Sequence, residues 1–133
     1  MTNLIPESHQ QFFEQPIVAN LGTIMPDGRP QVNPVWVDYD GTYVRFSTLQ
    51  GSQKDKNLKA RKFATLLLVD PQNPYSYIEV RGQVAETVTE GADEFINALS
   101  KKYLGLDEYP NRREGDVRVT YKIKPDKVNA FGQ

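Results

Sequence analysis

Five cations crowd into nine residues: Lys54, Lys56, Lys59, Arg61 and Lys62, within GSQKDKNLKARK at 51–62, offset only by Asp55. Ser47 and Thr48 come shortly before them, and Ser52 and Gln53 stand at the junction. Ammonium groups beside hydroxyl and amide donors are suited to charge-assisted hydrogen bonds with an anion such as phosphate. Ser52 with Asp55 three residues on resembles a capping box, which predicts a short helix running to about Lys62. Its N-terminus would add unpaired amides and a partial positive charge at the same place. The competing reading is a solvated face of an amphipathic helix around Leu58, and charge alone weighs the two evenly.

The rest of the chain narrows the chemistry. Its 133 residues suit one compact domain spanning 1–133. Its 16 basic residues face 17 acidic ones, so no global field draws it to nucleic acid or a membrane, and the cluster must act locally on a small anion. There is no cysteine, which removes disulfides, a thiolate nucleophile and thiolate metal ligands. The single His9 lies in an expected helix with no second imidazole, and reads as a solvated side chain rather than a metal ligand. No phosphate-binding glycine loop or nucleophile elbow is present, and Asp38, Asp40, Glu79 and Glu86 have no spacing that marks an acid and base pair. No catalytic side chain is assigned. The polar first residues lack the pattern of a secretory signal, and the longest apolar run, FATLLLV at 63–69, is far short of a membrane span, so a cytoplasmic protein is expected.

The elements that must position the cluster are mostly strands. A helix is expected over 4–15, with Pro6 in its first turn and Pro16 ending it. Strands follow at 17–24 and, after the turn MPDGRP, across 31–48, folded as a two-residue hairpin at Asp40-Gly41. Pro34 within QVNPVWVDY marks an edge or a bulge. FATLLLVD reads as a strand buried on both faces, and YSYIEVRGQVAETV as a long strand with Gly82 at a bulge. Ala92, Phe95, Ile96, Leu99 and Tyr103 repeat at helical spacing up to Gly105, and VRVTYKI at 117–123 alternates as the last strand. Many strands with few helices predict a mainly β antiparallel barrel plugged by helices.

DGRP, PVWVD, GSQKDKNL and DPQNPYSYIEVRG, in that order, resemble the flavin-binding split-barrel superfamily of pyridoxamine 5'-phosphate oxidase-like proteins, and within it the branch of coenzyme F420-dependent oxidoreductases. The likeness continues through EGADEFINALSKKYLGLDEYP and DVRVTYKIKPDKV, nearly the whole chain. It implies a six-stranded split barrel that forms a homodimer with two flavin-type cofactors in clefts between subunits. By motif, Pro34, Val35 and Trp36 would lie beside the cofactor ring system. Ser47, Thr48, Ser52, Gln53, Lys54, Lys56 and Asn57 would hold the ribityl and phosphate portion, and Tyr75 and Tyr77 match the partner's contribution. Pyridoxamine phosphate oxidases proper resemble an Arg-x-Val-Leu-Leu-Lys strand, whereas NPVWVDY here has neither base. That departure favours F420, with its anionic tail, over FMN, which remains the alternative. The implied activity is hydride transfer between the bound cofactor and an unsaturated or carbonyl substrate, with a proton from solvent. A non-enzymatic carrier of the same cofactors is the rival of a different class.

Overall fold

The computed structural model describes residues 4–132. Helix α1 (Glu7–Glu14) is followed by β1 (Ala19–Ile24), β2 (Pro30–Val35), β3 (Val37–Tyr39), β4 (Val44–Leu49), α2 (Gln53–Ala60), β5 (Phe63–Asp70), β6 (Asn73–Val88), α3 (Ala92–Leu104) and β7 (Arg118–Phe131). The strands form one 7-stranded sheet in the order β2-β1-β5-β6-β7-β4-β3, with every pairing antiparallel. Its two end strands, β2 and β3, are consecutive in the chain and separated only by Trp36. The sheet therefore curls until its ends are one residue apart, the geometry of a split barrel.

This crossing explains why the structure has seven strands where six were expected. The run 31–39 leaves the β1 partnership at Val35 and joins β4 from Val37, so one expected strand becomes two. Tyr103 of α3 pins the crossing: its hydroxyl donates to the Ile17 carbonyl at 2.7 Å and accepts from the Val37 amide at 3.1 Å. The ammonium group of Lys102 binds the carbonyls of Phe13 and Val37 beside it, tying α1 and α3 to the same point.

Inside the curl, Leu21, Val37, Phe46, Leu66, Leu68, Ile78, Val80, Tyr121 and Ile123 form one core, with α1 closing it through Phe12 and Phe13. The strand β5 departs from the expectation of burial on both faces. Ala64, Leu66 and Leu68 are buried, while Phe63, Thr65, Leu67 and Val69 alternate onto a partly exposed outer face. Among the described residues no helix packs closely on β5, so a continuous apolar run became one inward and one outward row. The last strand also runs farther than expected, to Phe131, because β6 is long enough to pair with it along nearly its whole length. Gly82 sits at a register shift opposite Pro125, as its place in the sequence suggested. An added Cβ there would collide with the Lys124 carbonyl and come within 2.8 Å of Ile123 Cγ2.

Smaller corrections have equally local causes. The opening helix begins at Glu7, not at 4, since Pro6 occupies the N-cap. The hairpin after β3 is a four-residue loop closed by Asp40, whose Oδ1 accepts from the amides of Thr42 and Tyr43. His9 is not solvated: it is 2% exposed, accepts the Ser8 hydroxyl at Nδ1 and donates from Nε2 to the Phe131 carbonyl at 3.0 Å. It stacks on Phe12 and fastens α1 to the end of β7.

Candidate functional site

The strand β4 alternates Val44, Phe46 and Thr48 inward with Arg45, Ser47 and Leu49 outward. Its end delivers Ser47 and Thr48 to the start of α2, where Ser52 is the N-cap: its Oγ accepts the Asp55 amide at 3.3 Å and lies 2.8 Å from Thr48 Oγ1. Asp55 returns the capping contact one residue early, accepting the Gly51 amide at 2.8 Å, and it also accepts the Tyr121 hydroxyl. Burial pushes this carboxyl up, but the Gly51 amide, Tyr121 and Lys59 outweigh burial and hold it below its ordinary value. Tyr121 is driven well upward by burial and by its bond to Asp55. The N-terminus of α2 is thus fixed from below, leaving its outer side to the cleft.

A cleft of about 460 Å³ opens there, between β4, β7, the α2 start and α3. Its wall includes Pro34, Val35 and Trp36 from the crossing, Ser47, Thr48 and Ser52, and Lys54. Seven of the residues assigned by motif therefore meet around one cavity. Trp36 is held in it by Tyr103, stacked at 5.2 Å between centroids, and by Tyr109, which meets it edge-on at 5.9 Å.

The other assigned residues lie elsewhere. Asn57 is fully buried, donates to Thr23 Oγ1 at 3.0 Å and accepts from Gln53 Nε2 at 2.9 Å, so this pair fastens α2 to β1. Lys56 is exposed and outside the lining. Tyr75 is 80% exposed at the start of β6, and Tyr77 stacks on Phe131 on the outer face of the sheet. The basic run itself divides: Lys59 pairs with Asp55 at 3.3 Å, Arg61 donates to the Ile24 carbonyl at 2.8 Å, and only Lys54 enters the cleft.

Arg118 enters it from β7, unnoticed in the sequence because it reads as the polar phase of VRVTYKI. Its Nη1 donates to Ser47 Oγ at 3.3 Å and its guanidinium lies 4.7 Å over the Tyr109 ring. Tyr109 was legible only as the single aromatic residue in the polar segment DEYPNRREGD. Among the described residues, no carboxylate lies within ion-pair distance of Lys54 or Arg118. Burial and the neighbouring Arg118 both push Lys54 below its ordinary pKa. Lys54, three hydroxyls and a helix start make a polar end that favours an anion, and Arg118, resting on Tyr109, stands as a second unpaired cation at its border with the aromatic wall. Val18, Leu49, Ile96, Leu99 and the aromatic group around Trp36 make the remainder apolar.

The family model for pyridoxamine 5'-phosphate oxidase matches residues 5–132. A solved structure of an F420 reductase is 34% identical, with a TM-score of 0.83, over 94% of this chain and 98% of that chain. The protein Rv2991 from Mycobacterium tuberculosis is 22% identical over 98% of this chain and 88% of that chain, with a TM-score of 0.70. General Stress Protein 26 from Bacillus anthracis is 21% identical over 94% and 92%, with a TM-score of 0.69. These last two share the fold. No curated protein matched the chain.

Proposed function

The chain belongs to the pyridoxamine 5'-phosphate oxidase family, and from that premise we propose that it is an F420-dependent oxidoreductase acting as a homodimer on a small unsaturated or carbonyl substrate. Family membership and the F420 reductase neighbour support a flavin- or deazaflavin-binding protein of oxidoreductase type. The observation that carries the finer reading is Lys54, half-buried beside Ser47, Thr48 and Ser52 at the start of α2, with no carboxylate partner among the described residues. That donor set fits a phosphate group, and the flat wall of Pro34, Val35 and Trp36 fits a planar ring. The bound cofactor would supply the hydride.

The chain's own residues bind and orient. Lys54 and the hydroxyls fix the phosphate end, the stacked Trp36 and Tyr103 hold the wall at one angle, and Ile96 and Leu99 keep water from that side. Gln53, Lys56 and Asn57, assigned with the phosphate group by motif, act in this reading through α2: Gln53 and Asn57 set its position, and Lys56 adds surface charge. No protein group is given the proton, which comes from solvent. The dimer would form through the uncovered outer face, where Val32, Phe63 and Phe131 are 62%, 61% and 63% exposed, and would bring Tyr75 and Tyr77 toward the partner's cleft. The site would be that of one cytoplasmic domain. FMN is the second reading, favoured by the combined charge of Lys54 and Arg118, which would balance a phosphate dianion.

The test is oxidation of the reduced cofactor across a panel of quinones and enones. Sustained turnover with any of them is expected. Tight cofactor binding with no turnover across the panel would instead make the protein a carrier.

A further inference from the structure

The F420 reading leaves Arg118 without a role, and its surroundings are unusual for a surface arginine. It is half-buried, fixed by Ser47 on one edge and by the Tyr109 ring beneath it, and it has no carboxylate partner among the described residues. Most of its donors remain unengaged in a fork of fixed orientation, the form that matches a carboxylate through two parallel hydrogen bonds. It also stands where the cleft changes character. Lys54 and Ser52 lie toward α2, whereas Arg118 rests on Tyr109, which abuts Trp36 in the apolar part.

Charge balance separates the two cations. The phosphodiester of F420 carries a single negative charge, which Lys54 and the α2 N-terminus together suffice to balance, and its anionic tail is joined beyond the phosphate, on the side away from the ring and the aromatic wall. The charge on Arg118 then calls for a second anion, located beside the aromatic wall. Resting on the F420 reading above, we infer that Arg118 receives a carboxylate of the substrate, so that the cleft selects flat, unsaturated carboxylate-bearing compounds. The apolar body of such a compound would lie along Tyr109, Ile96 and Leu99, and its carboxylate would replace the missing partner of the guanidinium.

Binding of cinnamate and of its neutral analogue cinnamamide, measured by calorimetry on the full protein with and without F420, tests this directly. The unaltered protein is expected to prefer cinnamate. Arg118→Gln should lower cinnamate affinity by about tenfold to a hundredfold while cinnamamide and F420 affinities stay within about twofold. Arg118→Lys, which retains charge but loses the fork, should fall between, and thermal melting of each variant verifies folding. Equal loss for both probes, or no preference in the unaltered protein, overturns the inference. Loss of F420 affinity in Arg118→Gln overturns it as well and makes Arg118 part of the phosphate grip. Failure of the unaltered protein to bind F420 counts separately, against the cofactor reading, while the same probes on the unloaded protein still score Arg118.

Discussion

Lys54 and Lys56 stand two residues apart, yet only Lys54 reaches the cleft. Lys54→Gln should weaken binding of a phosphate-bearing cofactor by about tenfold to a hundredfold, the worth of one charge-assisted contact, whereas Lys56→Gln should leave it within about twofold at moderate salt. Fluorescence titration of both variants checks this; equal effects would return the lysines to a diffuse surface field. Asp55 makes a prediction in pH. Its folded carboxyl is held below the ordinary value of 3.8, so its stabilisation is fully present above that pH and is lost as pH falls through the lower folded value. Asp55→Asn should therefore be less stable than the parent at neutral pH by about 1–3 kcal/mol, with the gap closing in acid below about pH 4. Chemical denaturation at several pH values measures it. At this scale the sequence disclosed residue type and local order, and so Ser52 as a cap. It could not disclose that Asp55 turns inward to Tyr121, because that contact joins residues far apart in the chain.

Elements decide which side chains share a wall. The break at Trp36 is held by the Tyr103 hydroxyl, and Tyr103→Phe would leave the Ile17 carbonyl and Val37 amide without that partner. A loss of about 1–3 kcal/mol in stability is expected, together with a shift in the emission of Trp36, the only tryptophan. Unchanged emission would mean that the crossing is fixed by the strands alone. At the other end of the sheet, Gly82→Ala places a Cβ against backbone at the β6 and β7 bulge, with an expected loss of about 1–3 kcal/mol in urea unfolding. The bulge was legible from a glycine inside a strand pattern. The two-sided burial expected for β5 was not realised, since FATLLLVD has the same composition whether its outer row meets a helix, a partner or water. The strand at 31–39 was legible as β structure, but its change of partner was not, as pairing depends on the curl of the whole sheet.

For the molecule as a whole, the mainly β, antiparallel barrel followed from the spacing of turns and alternating runs, and the likeness in motif order reached the family. The cleft combined distant segments: the crossing at Trp36, the β4 to α2 junction, α3 and the start of β7. Motifs located the first two, and Arg118 and Tyr109 needed the fold. The outer face bears on assembly. Phe63→Asp should convert a dimer to monomer in sedimentation while preserving the far-ultraviolet spectrum, because Phe63 lies outside the core. A parent protein that sediments as a monomer would remove the homodimer from the account. Titration of the protein with F420 and with FMN at equal salt, followed by fluorescence, decides which cofactor the cleft holds. Saturable binding of F420, tighter than FMN and weakened by salt, is expected; binding of FMN alone, or of neither, would rule out F420 as the cofactor.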